Sequence, residues 1–206
     1  MHEYTVIGHP REKIIYFIAF ISIFLSPILS KLILDSFAHY FNVIFSLSIS
    51  GTFIFGCLYY LFSHSFWSFK IFNYFYNFPD LNGEWTCKGL SYKIDNNPVT
   101  ATNWDGKIII KQTWDKILII LTTNNSSSKS LSVISGIKHY PGLGYKLSYH
   151  YENTPNISEP ELKKHEGFCV LTFNETLERS DGFYFNNIKE RKTYGELSLT
   201  RSKLNE

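Results

Sequence analysis

Apolar and charged residues are distributed very unevenly along the chain. No Asp, Glu, Lys or Arg occurs in residues 14–30 or 36–69. A helix crosses the hydrocarbon core of a bilayer with about 20 mainly apolar residues, because unpaired backbone amides are too costly there. The pattern therefore predicts two transmembrane helices, Lys13–Leu34 and Phe41–Phe62, joined by a short connector. No small-residue cleavage site follows the first apolar run, which favours a retained anchor over a signal peptide.

From Pro79 onward, short runs of β-branched and aromatic residues alternate with turn residues, as is typical of strands. We predict eight strands: Glu84–Tyr92, Trp104–Thr113, Lys116–Thr123, Ser130–Tyr140, Gly144–Asn153, Glu166–Thr176, Gly182–Ile188 and Gly195–Arg201. Eight antiparallel strands without helices suit a small up-and-down β-barrel, which can hold one small ligand. The predicted fold class is thus a membrane α-helical hairpin followed by an all-β domain.

Alternation within these strands assigns the inside of the barrel, since successive side chains point to opposite faces. In the second strand one face carries Ile108, Ile110, Gln112 and Trp114, and the other carries Lys107, Ile109, Lys111 and Thr113. In the fifth strand the inward face carries Leu147, Tyr149 and Tyr151. We therefore expect an apolar and aromatic interior with a few polar members.

Small residues recur at every fourth position in both predicted membrane helices: Ser22, Ser26 and Ser30, then Ser48, Thr52 and Gly56. Such stripes let helices pack closely, either within one hairpin or between protomers. Basic residues flank the hairpin on both outer sides, which places both chain ends in the cytoplasm. We expect a cytoplasmic N-terminus (1–12), the transmembrane hairpin (13–62), an aromatic interfacial segment (63–78) and a cytoplasmic ligand-sensing barrel (79–206).

Charge and cysteine content exclude several classes of protein. From Pro79 onward, 16 Lys and Arg face 15 Asp and Glu, a net charge of +1, which is too balanced for a groove that follows long nucleic acid. Cys57, Cys87 and Cys169 show no disulfide or metal-binding spacing. The sequence contains no phosphate loop, nucleophile elbow or His-Glu-x-x-His motif. We therefore predict no catalytic residue, no metal and no cofactor.

Several motifs follow the predicted membrane helices in a distinctive order. They are Pro79-Asp80-Leu81-Asn82-Gly83-Glu84-Trp85, Ile110-Lys111-Gln112-Thr113-Trp114, Leu147-Ser148-Tyr149-His150-Tyr151-Glu152-Asn153-Thr154-Pro155, His165-Glu166-Gly167, and Gly182-Phe183-Tyr184-Phe185 with Arg191-Lys192-Thr193-Tyr194-Gly195. In this order the chain resembles the two-transmembrane, minimal β-barrel effectors of bacterial cyclic-oligonucleotide antiphage signalling (CBASS).

The resemblance implies a multi-pass protein of the bacterial inner membrane, whose cytoplasmic barrel binds a cyclic di- or trinucleotide made by a partner synthase. It further implies that binding drives homo-oligomerisation of the membrane segments, in contact with lipid. Inner-membrane disruption and abortive-infection cell death would follow.

A cyclic dinucleotide presents two flat bases and two phosphates, and the chain offers residues for both. Aromatic faces stack on bases, at roughly 1–3 kcal/mol each, and the candidates are Trp85, Trp114, Tyr149, Tyr151 and Tyr184. Arg191 with Thr193 is the predicted phosphate pair, because Arg engages phosphate bidentately. Gln112 or Asn153 would read a base edge. The alternatives are ordinary core packing for the aromatics and a solvated rim position for Arg191.

Two other classes of function remain open. A membrane-tethered, lipocalin-like carrier of a lipid or other hydrophobic ligand would need an apolar cavity. A structural or partner-binding membrane protein would need a filled barrel. The predicted interior Gln112, with Arg191 nearby, favours the nucleotide receptor over the carrier.

Overall fold

In a computed structural model the chain forms two compact units, Met1–Gly8 with Lys70–Glu206, and His9–Phe69. The structure describes residues 1–9, 11–41, 50–69, 78–93, 100–124, 128–154, 164–187, 189 and 192–202. The helices are α1 (Arg11–Phe41) and α2 (Gly51–His64), followed by a single 3-10 turn (Phe66–Ser68). The strands are β1 (His2–Ile7), β2 (Gly83–Lys93), β3 (Thr100–Gln112), β4 (Lys116–Thr123), β5 (Lys129–Tyr140), β6 (Gly144–Thr154), β7 (His165–Phe173), β8 (Arg179–Asn186) and β9 (Thr193–Arg201).

The helical unit contains, within the described residues, one stretch long and apolar enough to cross a membrane: Arg11–Ile33, with a mean hydropathy of 2.0. α1 continues through Pro27 to Phe41, so the predicted connector after Leu34 is wrong. The Ser36 hydroxyl donates to the Leu32 carbonyl one turn earlier at 2.9 Å, which satisfies this polar side chain within the helix. Residues 42–49 of the second predicted span, and 70–77 of the aromatic segment, lie outside the described residues.

The two helices approach each other near the start of α2, where the Ser50 hydroxyl accepts from the Phe53 amide and caps the helix. A Cβ on Gly51 would lie 3.8 Å from the Ser22 carbonyl. Ser22 is buried within the hairpin, whereas Thr52 and Gly56 are exposed. The first small-residue stripe therefore contributes to packing within the hairpin. Ser26 and Ser30 are half-buried, and Ser48 lies outside the described residues.

In the other unit, strands β2 to β9 pair antiparallel in chain order, and β9 pairs back with β2. These eight strands form a closed up-and-down barrel, as predicted. The described strands number nine, however, because β1 enters the wall between β4 and β5. It runs parallel to β5 from Tyr4↔Ser135 to Ile7↔Lys138 and antiparallel to the start of β4. The sequence analysis treated these residues as part of a cytoplasmic tail and missed the strand.

The predicted alternation is confirmed: Ile108 and Ile110 are at most 1% exposed, and Leu147, Tyr149 and Tyr151 are also buried. We call the end of the barrel that contains Trp85, Gln112 and Trp114 the closed end, because large side chains fill it. We call the opposite end the mouth. It is formed by the strand ends near Lys93, Thr123, Asn153, His165 and Thr193.

Candidate functional site

The interior of the barrel opens toward the mouth into a cavity of about 350 Å³, within the roughly 300–1,000 Å³ of ligand pockets. Its deeper wall is aromatic and apolar and includes Trp104, Ile119, Leu121, Tyr149, Tyr184 and Leu197. Its rim is polar and includes Lys93, Ser130, Asn153, His165, Asn186 and Thr193. An apolar pocket with a few convergent polar groups is the usual form of a small-molecule site.

Two tyrosines lie across glycines of the neighbouring strand. Tyr151, Gly167 and Asn186 stand in one row on β6, β7 and β8, and the Tyr151 hydroxyl donates to Asn186 Oδ1 at 2.9 Å. A Cβ on Gly167 would overlap the Tyr151 hydroxyl. The glycine therefore lets the phenol cross the intervening strand and reach the asparagine.

The second tyrosine repeats this arrangement. Tyr184, Gly195 and Ser91 stand in one row on β8, β9 and β2, and the Tyr184 and Ser91 hydroxyls are hydrogen-bonded. A Cβ on Gly195 would overlap the Tyr184 ring. Trp104 lies across Gly89 in the same way and meets Tyr184 edge-on, with ring centroids 6.2 Å apart. The rings thus lie along the wall and line the cavity.

The polar groups at the rim form short hydrogen-bonded chains. Asn186 Nδ2 donates to Thr193 Oγ1 at 2.5 Å, which extends the chain from Tyr151. Across the mouth, Asn153 Nδ2 donates to Ser130 Oγ at 2.9 Å. These contacts fix the orientation of two carboxamides, groups that can donate to and accept from a base edge.

Cys169 and Tyr149 of the deeper wall are neutral at neutral pH at the usual pKa of a thiol and a phenol, and burial raises both pKa values further. Burial raises the pKa of the Cys169 thiol, and of the nearby Cys87 thiol, to about 12. Burial, with the neighbouring Cys169, also raises the pKa of Tyr149 well above its usual value. Among the lining residues that the structure describes, Lys93 is the one Lys or Arg. The cavity therefore offers neutral aromatic faces in its depth and a cation at its rim.

The structure divides the predicted ligand residues into two groups. Tyr149, Tyr151, Asn153, Tyr184 and Thr193 all line the cavity. Trp85, Gln112 and Trp114 face inward as well, but they lie at the closed end and do not line it. Arg191 lies outside the described residues.

The three closed-end residues have structural contacts. Trp85 Nε1 donates to the Leu81 carbonyl at 3.2 Å, and Trp114 stacks on Phe78 with centroids 4.4 Å apart. Gln112 Oε1 accepts from the Leu81 amide at 2.8 Å. These side chains hold the segment that leads into β2, which explains why they are buried away from the cavity.

Sequence reasoning missed Trp104 and Asn186. Trp104 is in phase with Ile108 and Ile110 on β3, so the same alternation, continued four residues toward the N-terminus, would have placed it inside. Asn186 is in phase with Tyr184 on β8 and is buried at the mouth. A polar residue on an inward face near a strand end is the signal that identifies such a rim residue.

A β-barrel with an aromatic cavity and a polar rim, in a chain with an apolar helix of membrane-crossing length, is the architecture expected of a membrane-anchored protein that binds a small ligand. Residues 76–201 match the family model described as the Cap15 cyclic dinucleotide receptor domain, and residues 12–68 match that of the Cap15 TM helices. A protein of Yersinia aleksiciae, CD-NTase-associated protein 15, is 35% identical over an alignment that covers 97% of each chain.

The chain therefore belongs to the Cap15 family, and the resemblance stated from the sequence is confirmed. The two matched domains support membrane association, a cyclic nucleotide as ligand and the role of a CBASS effector in antiviral defence.

Proposed function

We propose that the barrel cavity binds a cyclic dinucleotide and that binding switches on the membrane segments. The observation that carries this proposal is the cavity itself, within the segment that matches a cyclic dinucleotide receptor domain. A volume of about 350 Å³ is small for such a ligand and favours a dinucleotide over a trinucleotide. Part of the ligand would then lie in the mouth, beside rim residues such as Lys93 and Thr193.

Different groups of lining residues would bind the bases and the phosphates of the ligand. The rings of Trp104, Tyr149 and Tyr184, which line the cavity, would stack on the bases, at roughly 1–3 kcal/mol per base. The carboxamides of Asn153 and Asn186 would read base edges. Lys93 at the rim, together with Thr193 and the predicted Arg191, would neutralise and bind the phosphates.

The membrane unit would act as the output. In this proposal the hairpin spans the bacterial inner membrane twice, with the N-terminus and the barrel in the cytoplasm, and contacts lipid. Thr52 and Gly56 are exposed on α2, so this stripe is free to pack between protomers when ligand-bound copies assemble. The assembled helices would disrupt the membrane and cause abortive-infection cell death in response to a nucleotide made by a partner synthase.

The protein works in this scheme as a receptor and effector, without a catalytic site, metal or cofactor. The lipocalin-like carrier is the weaker proposal, because hydrogen-bonded Asn153, Asn186 and Thr193 line the cavity. A hydrophobic ligand would leave their remaining polar groups without partners.

Dye-filled liposomes that contain the purified full-length protein test this function. We expect one member of a cyclic di- and trinucleotide panel to release the dye. Trp104→Ala should raise the nucleotide concentration needed for release, and Lys111→Ala, which changes an exposed side chain on the same strand, should not. Absence of leakage with every nucleotide, from folded and correctly inserted protein, would contradict the effector function.

A further inference from the structure

The N-terminal strand belongs to the barrel although neither matched segment contains it. The receptor domain match covers residues 76–201 and the membrane match covers residues 12–68. β1 precedes both, yet its Tyr4 and Val6 side chains are buried in the barrel wall. Only residues 8–10 separate β1 from the start of α1 at Arg11. The strand is therefore part of the barrel and is joined through three residues to the start of the first membrane helix.

One buried glutamine joins the two chain segments that connect the barrel to the membrane unit. Gln112 Nε2 donates to the Tyr4 hydroxyl at 2.8 Å and to the Pro79 carbonyl at 3.1 Å. The Tyr4 hydroxyl in turn donates to the Thr113 carbonyl at 3.1 Å, and its ring meets Phe78 edge-on. β1, which leads to α1, and the segment that leads into β2 are thus held at the same point of the closed end.

The N-terminal end of β1, at His2, is connected to the cavity wall through the hydroxyl of Ser132. β4 and β5 pair directly from Ile120↔Leu131 to Thr122↔Lys129, and β5 then bulges between Ser132 and Ile134. At this branch point Ser132 Oγ accepts from the Ile119 amide at 2.9 Å and is hydrogen-bonded to His2 Nε2 at 2.8 Å.

The residues on the other side of this branch point line the cavity. They include Ile119, whose amide bonds to Ser132, and the opposed pair Leu121 and Ser130. The Ser132 hydroxyl is therefore hydrogen-bonded both to His2, the first residue of β1, and to the amide of Ile119 in the cavity wall. A change that restricts the motion of the wall at Ile119 also restricts the motion of His2.

We infer that β1 is a coupling strand: it completes the wall between β4 and β5 and links the ligand-bound state of the cavity to α1. This inference rests on the proposed nucleotide-binding function. Docking of β1 orders the stretch of wall that contains Ile119, Leu121 and Ser130, and a ligand that binds against these residues orders the same stretch. Each event therefore reduces the entropic cost of the other. Ligand binding therefore favours docking of β1, and docked β1 favours ligand binding by the same factor, because coupling between two equilibria is reciprocal.

The test uses full-length protein in nanodiscs and the cyclic dinucleotide that gives the largest thermal shift with the wild type. Hydrogen exchange and calorimetric titration are measured on the wild type and three variants. We expect the nucleotide to slow amide exchange in residues 2–7. Tyr4→Phe and Ser132→Ala should each raise Kd about fivefold or more, the lower end of usual coupling between sites. Glu3→Gln, which alters an exposed side chain of β1, is the matched control and should leave Kd unchanged.

The possible outcomes separate the two claims. If the wild type binds the nucleotide, but exchange in residues 2–7 and the Kd of both variants stay unchanged, the coupling is refuted and the receptor function stands. If the folded wild type binds no cyclic dinucleotide, the receptor function fails and the coupling fails with it. The exchange measurement on the wild type needs no variant, so a variant that does not fold still leaves a decisive result.

Discussion

Replacement of Gln112 by alanine should destabilise the barrel, because Gln112 binds three buried partners at the closed end. Gln112 is 5% exposed, and Leu81, whose amide donates to it, is fully buried. Truncation leaves the Leu81 N–H and the Pro79 carbonyl without this partner, at about 1–3 kcal/mol each, whereas Tyr4 keeps its bond to Thr113. The expected loss is about 2–6 kcal/mol, a large part of the roughly 5–15 kcal/mol of a typical domain.

The assay is thermal and denaturant unfolding of the full-length protein without nucleotide. For a chain of this size, about 4 kcal/mol corresponds to a drop in Tm of roughly 10 °C. Lys111→Ala, on the outer face of the same strand, is the control and should change Tm little. A Gln112→Ala protein with unchanged Tm but strongly weakened nucleotide binding would refute this reasoning and restore the direct ligand contact predicted from the sequence.

Three further predictions concern the cavity. Trp104→Ala should raise the Kd for the nucleotide about 5- to 150-fold, equivalent to a lost stack of roughly 1–3 kcal/mol; a Kd within twofold of wild type in calorimetry would contradict the stacking role. Lys93→Gln should weaken binding and reduce its salt dependence, since it removes a cation from the rim; an unchanged salt dependence would exclude Lys93 from phosphate binding. In a Cys57→Ser background the thiols of Cys87 and Cys169 should resist a thiol reagent at pH 8 until the protein unfolds, because burial raises their pKa to about 12. Because folding raises these pKa values from about 9, the stability that they contribute is present below pH 9 and is lost toward pH 12. The urea midpoint should therefore fall between pH 9 and 11. Rapid labelling of the native protein at pH 8 would contradict the burial of the two thiols, and a urea midpoint that stays constant from pH 9 to 11 would contradict the pH dependence.

Local alternation was sufficient to predict most of the barrel. Period-two patterns identified β2 to β9 and, for β3 and β6, the side of the strand that faces inward, because each pattern lies within about ten residues. β1 was missed for two reasons. Only Tyr4 and Val6 face inward in this short strand, and it pairs in parallel with β5, more than 120 residues away in the chain. No local pattern records such a distant pairing.

The candidate site was predicted only in part, because alternation gives the face of a residue but not its height in the barrel. Tyr151 and Trp85 both point inward, yet one lines the cavity and the other fills the closed end. Height depends on strand register and on which end is filled, both of which are tertiary properties. The glycines beside Tyr151 and Tyr184 become informative only once strand neighbours are known.

The central claim is that the barrel cavity binds a cyclic dinucleotide, and a thermal-shift titration of the full-length protein in nanodiscs tests it most directly. Ligand at 100 times its Kd should stabilise the folded state by about 2.7 kcal/mol, a shift of several degrees in Tm. We predict such a shift with one cyclic dinucleotide for the wild type, and a smaller stabilisation, about 0.3–1.8 kcal/mol, at the same concentration in Trp104→Ala. A folded protein whose Tm does not respond to any cyclic dinucleotide would contradict the claim.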